Sequence, residues 1–288
     1  MASKLEEMMN RYPTATPLEK ENAIKEVSQE IILYGLAKTT FFSQAAMYGG
    51  TAMRLFLGLD RFSEDLDFVV QKKNDDFSWN DYAPSIKKSL ASFGLNGDIV
   101  LKEKTLDTGV SSAFFAEPTK ETMLEIFPND IASTKIVFNQ KTKIKFEIAL
   151  TPNTHASYRA GYLEYPTSFG ITLLDSPSLF AGKISAILYR NWKSRSKGRD
   201  FYDFAFYVRE GIKPNLAYLQ EAIKAKEKSP EATSEQEILT RLKNRFKEID
   251  FEEAKRDALP FIKEPSRLDV WSADYFIQLA EKAFADNR

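Results

Sequence analysis

Residues 48–70 read YGGTAMRLFLGLDRFSEDLDFVV, and the two halves of this stretch belong together. Gly49, Gly50 and Thr51 make a tight turn that opens a short apolar helix through Met53, Leu55 and Phe56. Further on, Asp65-Leu66-Asp67-Phe68-Val69-Val70 begins a buried strand. Asp65 and Asp67 sit at i and i+2, and side chains alternate along a strand, so both carboxylates share one face. Two anions side by side repel unless a cation lies between them. Mg²⁺ suits that place, because it prefers carboxylate oxygen and keeps waters for a phosphate substrate. Backbone N–H groups at a helix N-terminus, such as the glycine turn supplies, bind phosphate oxygens.

Upstream, Thr16-Pro17 followed by Glu19 and Glu21 predicts a helix start, and Ile24, Val27, Ile31 and Ile32 carry that helix to about Ala37. A short helix over Phe41–Gln44 leads into a strand over residues 46–48. Downstream, residues 71–80 read as a polar loop. Residues 81–93 read as a helix with Pro84 tolerated in its first turn. Residues 98–105 suggest a strand, and 112–127 fit strand or helix equally. A hairpin follows, with arms at 134–138 and 143–150 around a turn at 139–142. In its second arm Ile144, Phe146, Ile148 and Leu150 share one face, while Lys145, Glu147 and Ala149 share the other. Glu147 therefore becomes the third carboxylate of a possible cluster. Residues 151–170, with Tyr158, Tyr162 and Tyr165, read as loop, and 171–174 as a last strand.

Beyond that point only helices are expected, over 176–191, 200–209, 214–228, 234–249, Phe251–Ala258 and 272–285. The fold class is α/β (α+β): a mixed sheet with flanking helices over residues 1–175, then a helical domain over 176–288. The active site is expected in the cleft between them.

Composition narrows the chemistry. Hydrophobic residues make up 43% of the 288 and aromatics 13%, enough for a packed core and too many for a disordered chain. The absence of cysteine removes disulfides, thiolate metal sites and cysteine nucleophiles. With His155 as the sole histidine, no histidine metal cluster can form from this chain. No apolar run reaches the ~18 residues of a membrane span, and the N-terminus lacks a signal-peptide core, so a soluble cytoplasmic protein is expected. The net charge of −1 means that any nucleic acid must be met by a local patch. Neither a P-loop nor a nucleophile elbow is present.

Two later stretches carry charge in suggestive places. Lys183 and Arg190, at i and i+7, share a helix face, and a lysine there can reach a phosphate as a point charge. Asp200 and Asp203, at i and i+3, open the next helix, where acidic residues are ordinary. Between these helices Lys193, Arg195, Lys197 and Arg199 lie beside Trp192 and Tyr189. Such a loop can track a phosphate backbone and stack a base, or simply be a solvated connection balanced by acidic helices.

GGTAMRLFLGLDRFSEDLDF closely resembles the signature of the AbiEii/AbiGii toxin family, nucleotidyltransferase-fold toxins of toxin–antitoxin and abortive-infection pairs. Lys183 to Arg190, KISAILYR, resembles that family's third motif, and Arg199 to Phe204, RDFYDF, its fourth. In outline the resemblance covers residues 48–207. Tyr48 stands where many relatives carry lysine, and Glu147 replaces an aspartate. The resemblance implies an RNA acceptor, a tRNA 3′ end above all, and a cognate antitoxin. It also makes Asp203 a site residue that holds Lys183 or an arginine.

The combined expectation is Mg²⁺-dependent transfer of NMP from an NTP, with release of pyrophosphate. Gly49, Gly50 and Thr51 would cradle the triphosphate, with Arg54 and Ser63 alongside and Lys183 steadying a phosphate. Asp65, Asp67 and Glu147 would hold two Mg²⁺ ions, one of the three deprotonating the acceptor hydroxyl. Lys193, Arg195, Lys197 and Arg199 would contact RNA. The alternatives are NMP transfer to a protein side chain and a non-catalytic binding module. Against the module stands the intact acid cluster, which is costly to keep without a use.

Overall fold

Thr16 starts the longest helix as its sequence foretells. Its Oγ1 accepts from the Glu19 amide at 3.2 Å, and the Glu19 carboxylate accepts from the Thr16 amide at 2.8 Å. With proline at the first position this capping box fixes helix α2, Pro17–Ala37. A computed structural model describes residues 3–102, 109–118, 141–190, 197–228 and 233–285. The chain divides into two compact units.

The first unit comprises Met1–Phe56, Glu64–Pro152 and Arg159–Leu173. Besides α2 it holds α1 (Lys4–Met9), α3 (Phe41–Gln44), α4 (Gly49–Phe56) and α5 (Ala83–Ala91). Its strands are β1 (Ala45–Tyr48), β2 (Leu66–Val70), β3 (Asp98–Leu101), β4 (Val110–Pro118), β5 (Lys141–Ala149), β6 (Tyr158–Leu163) and β7 (Phe169–Leu174). Among the described residues these form one seven-stranded sheet in the order β3-β4-β5-β2-β1-β7-β6. Strand β2 runs antiparallel to β1 and parallel to β5, β4 runs antiparallel to both β3 and β5, and β1 is parallel to β7. The sheet is mixed, as expected.

One face of the sheet buries Phe68, Phe115, Ile144, Phe146 and Ile148, and helix α2 adds Ile24, Val27, Ile31 and Leu36 to the same core. The stretch 71–80, expected to be a polar loop, delivers two buried aromatics to that core. Trp79 lies 4.9 Å from Phe146 and 5.7 Å from Phe41, ring centre to ring centre, and Phe77 stacks on Tyr82 at 5.5 Å. Aromatic area buried at two positions outweighs the polar neighbours around them.

Two other expectations need correction. Lys141 and Thr142, expected in a hairpin turn, belong to β5 and pair with Pro118 and Glu117 of β4. The other arm, 134–138, lies outside the described residues. The supposed loop 151–170 contains β6, whose glycine hides its strand character. At Gly161 a Cβ would come within 2.6 Å of Leu173 and 2.8 Å of Phe56, so the residue is absent of side chain because its neighbours need the room.

The second unit comprises Leu57–Ser63, Asn153–Tyr158 and Leu174–Arg288. It is helical: α6 (Ser176–Tyr189), α7 (Gly198–Arg209), α8 (Leu216–Glu227), α9 (Glu235–Lys247), α10 (Phe251–Ala258) and α11 (Ala273–Phe284). Asp175, rather than Ser176, caps α6 by accepting from the Ser178 amide at 2.9 Å. Phe201, Phe204, Phe246 and Phe276 are fully buried at its centre. Among the described residues, no helix is long and apolar enough to cross a membrane.

Candidate active site

Strand β1 ends at Tyr48, the backbone turns at Gly49 with φ +83°, and α4 begins. Register then does the placing. Tyr48 pairs with Asp67, and Asp67 pairs with Glu147 on the other side. Paired residues on neighbouring strands share a face, so the turn, the second aspartate and the glutamate form one row across β1, β2 and β5. Thr51, fully buried, donates its hydroxyl to the Asp65 carbonyl at 2.5 Å, which ties the turn to the residue that opens the DxD pair.

At Gly49 an added Cβ would collide with the Asp67 carboxylate. Gly49→Ala should therefore lose about 1–2 kcal/mol through its left-handed backbone alone. Asp67 must also move aside. Urea unfolding and nucleotide binding measured together should both deteriorate; an unchanged variant would mean that the turn tolerates a different shape.

Glu147 is held in place from its own strand and from β4. Lys145 Nζ lies 2.6 Å from its Oε1, and Ser112 Oγ donates to the same oxygen at 2.7 Å. Partial burial alone would raise the carboxyl's pKa, but these hydrogen bonds and the charges of Lys145 and Lys102 bring it below its ordinary value. Among the described residues, no three acidic or histidine side chains converge closely enough to hold a metal ion. Asp65 lies just ahead of β2 and Asp67 within it, and carboxylate oxygen of this kind fits a divalent cation. Glu147, in register beside Asp67, is occupied by Lys145.

Helix α2 braces this half-site from behind. Arg54 of α4 reaches Glu26 with Nη2 at 2.9 Å and Nε at 3.3 Å. One turn along, Gln29 Nε2 donates to the Glu64 carbonyl at 2.9 Å, one residue before Asp65. Glu26 and Gln29 are 5% and 1% exposed. Sequence reading passed over both. The available signal was the polar group Glu26 and Ser28 to Glu30 set among Ile24, Val27, Ile31 and Ile32, in the part of the helix that carries the apolar spacing. Arg54, expected at the nucleotide, is engaged by Glu26. Ser63 is buried and falls in the second unit.

In the second unit Asp203 is completely buried. Arg61 grips it with both arms of its fork, Nε to Oδ1 at 2.6 Å and Nη2 to Oδ2 at 2.7 Å. Lys183 Nζ lies 2.8 Å from the same carboxylate and 2.7 Å from Asp200, which Arg190 also pairs with. The shared face of Lys183 and Arg190 is thus real, and Asp200 is what it faces. Burial opposes every charge here. Even so, Arg61 and Lys183 hold Asp203 below its ordinary pKa, and the two aspartates hold Lys183 above its own. To reach a phosphate, Lys183 must release one of two carboxylates.

Of the four residues expected at RNA, Lys193 and Arg195, like Trp192, lie outside the described residues. Lys197 is exposed just before α7, its pKa lowered by partial burial and by Arg190. Arg199 stacks its guanidinium 4.1 Å from the centre of the Phe261 ring, a packing use of that side chain.

The family model described as "Nucleotidyl transferase AbiEii toxin, Type IV TA system" matches residues 31–281. No curated protein matches the chain. Among solved structures, the fold is similar to that of the nucleotidyltransferase toxin MenT4 from Mycobacterium tuberculosis, at 13% identity, TM-score 0.58, and coverage of 98% of this chain and 90% of that one. It is also similar to JHP933 from Helicobacter pylori, at 18% identity, TM-score 0.50 and 91% coverage of each chain. The chain belongs to the AbiEii family of nucleotidyltransferase toxins of type IV toxin–antitoxin systems, and is a nucleotidyltransferase with an NTP substrate and an antitoxin partner.

Proposed function

We propose that the protein transfers a nucleoside monophosphate from an NTP to an RNA hydroxyl, at the 3′ end of tRNA, with Mg²⁺ at Asp65 and Asp67. The supporting observation is the row Tyr48–Asp67–Glu147, which sets the glycine turn beside two carboxylates on one sheet face. A bound divalent cation would neutralise charge on the triphosphate and the departing pyrophosphate. The chain's own work is positional. N–H groups at the start of α4 orient phosphate oxygens. A carboxylate of the row takes the proton from the acceptor hydroxyl as its oxygen bonds to the α-phosphorus and the bond to pyrophosphate breaks. Toxicity follows in this reading, because a tRNA with a blocked 3′ end cannot be aminoacylated.

Incubation with Mg²⁺, each α-labelled NTP in turn, total RNA and protein extract tests this. Label in small RNA is the expected outcome. Label in protein would transfer the reading to a side-chain acceptor, and label in neither, with nucleotide still bound, would leave a binding module.

A further inference from the structure

We propose that the solvent face of β3, β4 and β5 is a track for the single-stranded phosphodiester backbone of the acceptor, with Phe114 as a platform for one base. This deepens the RNA-acceptor reading and rests on it. Along β5, Thr142, Ile144 and Phe146 are buried, so Lys141, Lys143 and Lys145 all point from the opposite face. Successive lysines there stand about 7 Å apart. Lys141 and Lys143 are exposed, and neither has an ion-pair partner among the described residues. Like charges repeated on one strand face are unfavourable to folding. A ligand of opposite charge removes the penalty.

The aromatic lies within the same patch. Phe114 of β4 is the register partner of Lys145 and is itself opposite Val100 of β3, which is 52% exposed. Lys102 Nζ hovers 4.8 Å from the Phe114 ring centre. A half-buried ring flanked by ammonium groups is the arrangement that stacks a base while the cations follow its phosphates. Direction comes from the strand: two residues beyond Lys145 on the same face is Glu147, the partner of Asp67. The cationic run therefore leads to the carboxylates. Asp98, at the far end of β3, also faces outward. With a net charge of only −1, the chain has no general basic field to attract RNA, and a local track has to do so.

The test is fluorescence anisotropy of a fluorescein-labelled single-stranded oligouridylate, in EDTA, across about 50–200 mM salt. Lys141→Ala/Lys143→Ala should lower the slope of log affinity against log salt by about 1.4, two contacts at about 0.7 each. Phe114→Leu, which keeps apolar volume, should weaken binding about tenfold with the slope unchanged. Lys87→Ala/Lys88→Ala, exposed on α5, serves as the control for general charge loss and should move neither quantity. Circular dichroism confirms that each variant is folded. If RNA is labelled by the enzyme but both track variants bind like wild type, the track is wrong and the RNA acceptor stands. If the variants lose oligonucleotide as expected while label enters only protein, the face binds RNA but not as the acceptor, and the proposal falls with the acceptor reading. Absence of oligonucleotide binding by the wild-type protein overturns the track.

Discussion

Asp203→Ala should cost about 3–5 kcal/mol of folding stability, read from urea or guanidinium unfolding. The carboxylate is 0% exposed and is shared by Arg61 and Lys183, whose side chains are 4% and 14% exposed. Its removal leaves the Arg61 fork, among the described residues, with the Phe62 carbonyl at 2.8 Å, and leaves Lys183 to Asp200. An uncompensated buried cation is far more expensive than a missing contact. The pH dependence has a definite sign. Asp203 has a folded pKa below its reference of 3.8, so its contribution is present above that reference and is lost as pH falls through the folded value. Lys183 has a folded pKa above 10.5, so its contribution is present below 10.5 and is lost as pH rises through the folded value. The difference between wild type and Asp203→Ala should hold steady from about pH 5 to pH 9 and shrink on acidification. A loss under about 1 kcal/mol at neutral pH would show that water reaches the cluster.

Asp67→Asn should leave the protein folded and reduce nucleotidyl transfer by a factor on the order of 10²–10³ or more. Shape is kept, so the variant should remain folded in the absence of metal. The informative comparison adds Mg²⁺ during thermal unfolding. A cation that binds the native state alone stabilises it, by about 2.7 kcal/mol at a hundred times its dissociation constant. Wild type should show that gain and Asp67→Asn should not. The same pair of measurements on Asp65→Asn asks whether both carboxylates act. Full transfer activity in either variant would remove the metal assignment from this strand.

Local features were legible because the residues that cause them are neighbours in sequence. Thr16, Pro17 and Glu19 specify the start of α2, and the alternation in β5 assigns Ile144, Phe146 and Ile148 to the core and Glu147 to the opposite face. The same capping pattern at Ser3 and Glu6 opens α1, an element that sequence reading did not place. Less legible was anything decided by distant partners. Nothing in GITLLD or YRAGYL announces that β6 stands next to β7. Nor does the polar setting of Phe77 and Trp79 reveal the aromatic core that receives them. Asp60 and Arg61 likewise look like ordinary loop charges, although Asp60 accepts from the Tyr202 hydroxyl at 2.7 Å and Arg61 clasps Asp203. Periodicity reports which face is buried, not what it is buried against.

The helical unit is assembled from three separate stretches of chain, and this bears on how it is made. Arg61 and Asp203 are 142 residues apart, so their union closes a very long loop and pays its entropy before any local reward. During synthesis Arg61 emerges long before the carboxylate that will neutralise it. The helices from α6 onward can form early on their own side-chain patterns, but their buried anion acquires its second cation only when residues 57–63 return to them. Docking of that short segment is thus a natural late step in folding, and the segment immediately precedes Glu64 and Asp65.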